Sequence, residues 1–382
     1  MSQHFIPAVF YRGGTSKGVF FHARDLPEDR AACDRILLAV LGSPDPYERQ
    51  LNGMGGGISS LSKAVIIGPP SHPDADVDYT FVQLAVDEPV ADWSNNCGNL
   101  SSAVGHFAVD EGLVAARDGE ALVRIHQTNT RKLIHSRFQA KGGKAETAGD
   151  YAIAGVAGTG SRIRLDFFAP DGAVTGKLLP TGNPVDKIDL GADGTIEMSI
   201  IDATSALAYV DAHALGLEGS ESPEQIEAQP RVMEILERLR RRAGVMIGLS
   251  SDPEKIGLQT PRIALVAAPR SFRSLDGATY EANGFDVATR MMSMQRAHRA
   301  IPGTGGLNLG VATQVRGSIP NRLSRPANAA GEVRVGNPSG LVSVGAVVRQ
   351  IGSDWTADSA VLFRTARRLM QGEVAVPWSA VT

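Results

Sequence analysis

Ser94-Asn95-Asn96-Cys97-Gly98-Asn99-Leu100-Ser101-Ser102 runs straight into Ala103-Val104-Gly105-His106-Phe107-Ala108-Val109 and stops at Asp110-Glu111-Gly112. The first part is a polar turn and the second an apolar segment too evenly greasy for a surface helix. The spacing predicts a buried helix entered from an asparagine-rich turn, with Gly112 as its stop. Cys97, one of only two cysteines, falls at the mouth of that helix. There it meets unpaired backbone N–H groups and the positive end of the helix dipole, which favour thiolate over thiol. The same N–H groups can hold a carboxylate. The plainer alternative is a buried structural cysteine beside a turn.

The plan recurs in the second half. Ala297-His298-Arg299-Ala300-Ile301-Pro302-Gly303-Thr304-Gly305-Gly306 leads into apolar Leu307 to Ala312, with Thr304-Gly305 standing where Cys97-Gly98 stands in the first. Gly-Asn-Pro follows in each half, at 182–184 and 336–338. Two domains of similar plan are expected, 1–184 and 185–382, and the last residues can return to the first domain. A cleft faced by the two helix N-termini would draw a multiply negative small molecule.

The rest of the chain narrows the class. A hydrophobic fraction of 43% over 382 residues supports full cores, and a net charge of −3 argues against nucleic acid or an anionic membrane as partner. Two cysteines make no disulfide framework, which fits a reducing cytoplasm. No apolar run has the length of a membrane span, and Met1 to Phe5 lacks the make-up of a signal peptide. The eight histidines are scattered without metal-ligand spacing.

Two glycine-bearing loops are further candidates. Arg12-Gly13-Gly14-Thr15-Ser16-Lys17-Gly18 lacks P-loop spacing, but Arg12, Thr15 and Ser16 could rim an anion pocket. It reads equally as a tight hairpin. Asn52-Gly53-Met54-Gly55-Gly56-Gly57 misses the dinucleotide fingerprint and leads through Ser62-Lys63 into the strand Ala64 to Ile67. Lys63 is either a half-buried base or a snorkelling strand-end lysine.

The coarse reading places strands at 5–10, 78–86, 121–127, 131–138, 163–168, 196–201, 206–210 and 263–267. Helices are expected at 27–41, 230–243 and 286–294. Residues 218–227 read as an acidic loop, 178–186 as the interdomain crossing, and Arg240-Arg241-Arg242 as a solvated helix end. Residues 355–370 leave helix and strand open.

With these motifs in order along nearly the whole chain, the sequence resembles the PrpF family of the diaminopimelate-epimerase-like superfamily. The resemblance rests on Arg12 to Gly18, Gly53-Met54-Gly55-Gly56, Ser62-Lys63, Asn96-Cys97-Gly98-Asn99, Pro180-Thr181-Gly182-Asn183 and Pro338-Ser339-Gly340. It implies an α+β fold of two similar, pseudo-twofold domains. Each is a mixed, mostly antiparallel, barrel-like sheet wrapped around a central helix, with the active site between them and no cofactor. Family members isomerise small unsaturated di- and tricarboxylates such as 2-methylaconitate, 4-oxalomesaconate and methylitaconate. The family's lysine and cysteine carry over to Lys63 and Cys97.

The superfamily's epimerases use two cysteines, and the second position here is Thr304, which cannot act as a base. The expected reaction is therefore allylic proton transfer, with Lys63 as abstracting base and Cys97 returning a proton. Expected substrate contacts are Arg12, Thr15, Ser16, Met54, Gly55, Ser62, Asn96, Gly98, Asn99, His298, Thr304, Gly305, Ser339 and Gly340. No metal is expected, and the chain can be a homo-oligomer. A 2-methylaconitate cis–trans isomerase is the leading reading. An oxalomesaconate tautomerase or an aconitate or methylitaconate delta-isomerase is the alternative, and a non-catalytic carboxylate-binding protein is the rival from another class.

Overall fold

The computed structural model describes residues 2–94, 96–258, 260–293, 295–328 and 331–380. Asn95 of the cysteine turn and Met294 of the expected helix lie outside the described residues. The chain forms two compact units: Met1–Asp166 with Phe363–Thr382, and Phe167–Leu362. The expected crossing at 178–186 lies inside the second unit.

In the first unit, β1 (Gln3–Gly13) and β2 (Ser16–His22) form a hairpin, and β3 (Lys63–Gly68) joins β2 in parallel. Next to it come β4 (Val77–Leu84), antiparallel to β3, and β5 (Gly119–Gln127), parallel to β4. β6 (Lys132–Lys141) closes the series antiparallel to β5. Helix α1 (Arg30–Leu41) starts at Asp29, whose carboxylate accepts the amide of Ala32 at 2.7 Å, and ends at left-handed Gly42. Its stripe Cys33, Ile36, Leu37, Val40 and Leu41 packs on Val19, Phe21, Ala64 and Val82.

Helix α2 (Ser101–Asp110) is buried from Ser101 to Val109. A helix apolar all round has no solvent face to keep, so the sheet wraps it. Phe107 and Phe20 are fully buried with ring centroids 5.7 Å apart. Each such side chain contributes roughly 1.5–3 kcal/mol of burial free energy.

The second unit repeats this wiring element by element. β7 (Thr195–Ala203) and β8 (Ser205–Asp211) form the hairpin, and β9 (Arg262–Ala267) is parallel to β8. β10 (Val287–Ser293) is antiparallel to β9, β11 (Glu332–Asn337) is parallel to β10, and β12 (Gly340–Ile351) is antiparallel to β11. Amphipathic α3 (Pro230–Met246) packs through Val232, Leu236, Leu239 and Ala243, as α1 does in the first unit. Apolar α4 (Gly303–Gln314) is buried from Gly305 to Thr313, as α2 is. The final strand β13 (Ala366–Pro377) pairs antiparallel with β1 along its whole length, from Gln3 opposite Pro377 to Gly13 opposite Ala366.

Four expectations change. Residues 287–293 form a strand, not a helix. Val287 to Met292 is buried on both faces, so no two-residue alternation marks it, and pairing with β9 and β11 overrides the helix propensity of its alanine and methionines. Residues 223–227 form a short helix begun by a capping box between Ser222 and Gln225. Arg240 is not solvated. It is buried, bonded to Glu237 and to the carbonyls of Gly257 and Pro261, while Arg242 is exposed. The two Gly-Asn-Pro turns are not counterparts. Residues 336–338 lead into the β11–β12 hairpin, whose equivalent in the first unit is the turn after Gln127. The undecided tail is strand, first in Asp354–Arg364 and then in β13.

Candidate active site

The first unit holds most of the expected residues, and several of them sit around the mouth of α2. The Cys97 carbonyl accepts the amide of Ser101 at 2.9 Å and the Ser101 hydroxyl at 3.0 Å, so helical bonding begins at the cysteine itself. The hydroxyl of Tyr79 donates to the same carbonyl at 3.4 Å. Burial, then Cys97, holds the phenol well above its ordinary pKa, so it stays a donor. The Cys97 thiol is free and the residue is 8% exposed. Asn96 Oδ1 accepts from the Ser101 hydroxyl at 3.3 Å. Gly98 is half-buried in the same turn.

The β1–β2 hairpin fits against this turn because it is made of glycine. A Cβ on Gly14, whose φ is +51°, would lie 2.4 Å from Asn99 Oδ1. Asn99 Nδ2 donates to Thr15 Oγ1 at 3.0 Å. Arg12 is turned to its own hairpin, donating to the carbonyls of Gly14 at 2.9 Å and Thr365 at 2.8 Å. Burial, and then Arg367, lowers its pKa. Ser16 is buried opposite Gly13.

Lys63 meets the cysteine turn across Gly18. A Cβ on Gly18 would lie 2.8 Å from Leu100 Cδ1 and 3.0 Å from the Lys63 carbonyl oxygen. Lys63 is 8% exposed, and its Nζ donates to Gln83 Oε1 at 2.5 Å. Gln83 sits opposite it in the β3–β4 ladder. The Gln83 amide nitrogen donates to the carbonyls of Ser59 and Ser62, each at 3.0 Å, and of Leu84 at 3.2 Å. With three acceptors around the nitrogen, the oxygen must face the lysine. Ser62 is fully buried, its hydroxyl 2.6 Å from Gln50 Oε1 and 2.9 Å from the Ile58 carbonyl. The amides of Met54 and Gly55 bond to Val40 and Leu41 at the end of α1. These three residues fasten the glycine loop, whereas Asn99 and Thr15 meet at the cysteine turn and the Lys63 side chain is held by Gln83.

The second unit holds its own group at the mouth of α4. Thr304 Oγ1 accepts from Arg262 Nη1 at 3.0 Å, and the Thr304 carbonyl accepts from Thr204 Oγ1 at 3.0 Å. Pro302, the residue before α4, gives no side-chain cap. Gly305 follows Thr304 in the first turn, where a Cβ would lie 2.6 Å from Met291 Sδ. His298 Nδ1 accepts the Ala300 amide at 3.2 Å, so the ring carries its proton on Nε2. Burial, and then the Arg262 charge, lower the His298 pKa. Ser339 donates to the Arg299 carbonyl at 2.6 Å, tying the β11–β12 turn to the His298 segment. The Gly340 carbonyl accepts from Asn337 Nδ2 at 2.9 Å.

Sequence reasoning missed Gln83, Arg262 and Arg364. Arg262 had a readable signal: it opens Ile263-Ala264-Leu265-Val266 as Lys63 opens Ala64-Val65-Ile66-Ile67. Gln83 and Arg364 acquire their roles only through partners remote in sequence. Among the described residues no group of three or more His, Cys, Asp or Glu could hold a metal. No helix among them is long and apolar enough to cross a membrane.

The family described as PrpF protein matches residues 3–377. The 3-methylitaconate isomerase of Eubacterium barkeri is 39% identical over 375 residues, covering 97% of each chain. The 2-methyl-aconitate isomerase of Cupriavidus necator is 37% identical over 388 residues, covering 98% of each. A crystal structure of methylitaconate-delta-isomerase superposes with a TM-score of 0.92 at 37% identity, over 100% of this chain and 98% of the other. A match along nearly the whole chain, in sequence and in fold, places this protein in the PrpF family.

Proposed function

We propose that this isomerase acts on a small unsaturated tricarboxylate, with 2-methylaconitate as the leading substrate and cis–trans isomerisation as the reaction. Two observations carry the reading: a buried Lys63 held by a neutral amide, and a free Cys97 whose carbonyl begins the bonding of α2, both in the first unit. Gln83 Oε1 accepts a hydrogen bond from Nζ whether that group is ammonium or amine, so it orients the lysine through both halves of a proton transfer. The amine of Lys63 takes a proton from a carbon alpha or gamma to a carboxylate. The electron pair of that C–H bond spreads over the allylic unit and its carboxylate. N–H groups of the first turn of α2 stabilise the resulting charge. The Cys97 thiol returns a proton to the allylic system. Atoms balance, since substrate and product are isomers, and the Lys63 ammonium then passes its proton back to the Cys97 thiolate.

Proton NMR in D₂O tests this with 2-methylaconitate, 4-oxalomesaconate, aconitate and methylitaconate and no added cofactor. Double-bond movement or geometric change with deuterium uptake is expected for one of them. Lys63→Met should slow it at least about a thousandfold, and Cys97→Ser about a hundredfold. Folded wild-type protein that binds these acids but exchanges no proton with any of them would leave only a carboxylate-binding protein.

A further inference from the structure

Arg364 is the last residue of the strand Asp354–Arg364 and belongs to the first unit. It is 6% exposed. Its Nε donates to Asn99 Oδ1 at 2.9 Å and its Nη1 to the Phe363 carbonyl at 2.9 Å. Both acceptors are neutral, and among the described residues no carboxylate pairs with the guanidinium. A buried charge without a counter-charge is costly unless an anion comes to it. Asn99 is two residues after Cys97, and its amide, held at Oδ1 by Arg364, reaches Thr15 with Nδ2. Gly14 makes room for the arrangement: a Cβ there would lie 3.0 Å from Arg364 Cδ as well as on Asn99.

We propose that Arg364 is the positioning residue of the cysteine turn, fixing Asn99 and supplying the positive charge against which negative charge forms at Cys97. Burial pushes its pKa down to about 10, while Tyr151 and Cys97 push back, so the guanidinium remains cationic at neutral pH. The assignment rests on Cys97 being the acid of the proposed reaction.

The test is alkylation of the full-length protein by iodoacetamide at pH 7 without substrate. Peptide mass mapping separates Cys97 from Cys33. Arg364→Gln, shown folded by its thermal transition, should slow alkylation of Cys97 by about tenfold or more. Arg364→Lys, which keeps the charge, should react within about threefold of wild type. Asn99→Asp sets a carboxylate on the guanidinium without emptying the site, and should be slow as well. Wild-type alkylation rates in folded Arg364→Gln, or in Asn99→Asp should the glutamine variant not fold, overturn the proposal. Because this readout needs no substrate, Arg364-dependent alkylation with no turnover of any acid would sink the isomerase reading alone. Turnover that depends on Cys97, with alkylation indifferent to Arg364, would sink the positioning role alone.

Discussion

Lys63 opens β3 in the first unit, and Arg262 opens the equivalent strand β9 in the second. Lys63 reaches a neutral amide, Gln83, in a unit that also holds a free thiol at Cys97, whereas Arg262 bonds directly to the hydroxyl of Thr304. A lysine ammonium and a thiol can each give up a proton to become a base. Guanidinium and hydroxyl do not. The hairpins differ in the same sense. The left-handed position is Gly14 in the first unit, leaving space that Asn99 and Arg364 fill. In the second it is Thr204, whose side chain bonds to the Thr304 carbonyl. A β-branched residue at positive φ is rare and is tolerated where surrounding contacts hold it. One strand plan has thus been kept twice, with an amine and a thiol in one copy and a guanidinium and a hydroxyl in the other.

The sharpest way to break this contrast is to write the second unit's residue into the first. Lys63→Arg keeps the charge but should lose at least about a thousandfold in kcat, because a guanidinium does not give up its proton. The converse, Arg262→Lys, retains a cation beside Thr304 and should stay within about tenfold of wild type. Steady-state kinetics on both decide it, and a Lys63→Arg enzyme near wild-type activity would remove the lysine from the chemistry.

A smaller effect is expected at Gln83. Gln83→Glu places a carboxylate beside Lys63 and favours the charged lysine. The rise of activity with pH should therefore move to higher pH, with about a tenfold loss at neutrality. An unchanged pH–rate profile would show that Gln83 does no more than fill space.

The smallest effect separates the outer helices α1 and α3. Burial pushes the Glu237 pKa up, but hydrogen bonds from Arg240 and Arg241 and the Arg240 charge bring it down to about 2. A carboxyl with a depressed folded-state pKa stabilises fully above its unfolded value and loses that contribution as pH falls through the folded one. Its contribution should be lost between about pH 4.5 and pH 2. Glu237→Gln should unfold at lower temperature at pH 7, and the gap from wild type should close towards pH 2. A constant gap in thermal unfolding across that range would remove Glu237 from the acid response.

The cysteine turn, the glycine hairpin and both central helices could be read because their signals are local: turn residues, a cap and an apolar run. The strand Val287–Ser293 could not, since burial on both faces erases the alternation by which strands are recognised. Arg240 lay in a run of three arginines whose likeness hides that one points inward. Asn99 and Arg364 are 265 residues apart in sequence, and no local pattern records such a meeting. Arg262 is the instructive case, because its signal was present in the repeat of a cation before four apolar residues.

The pairing of β1 with β13 has a consequence for how the protein is made. A ribosome delivers Gln3 well before Pro377, yet the two stand opposite each other in one ladder. The second unit lies wholly between these strands in the chain, so all of its residues emerge before the first unit can be completed. During synthesis the early strands must wait with an open edge, the situation in which nascent chains need protection from aggregation. Arg364 and Thr365 arrive only after the whole second unit, so until then the turn bearing Cys97 lacks its full set of contacts.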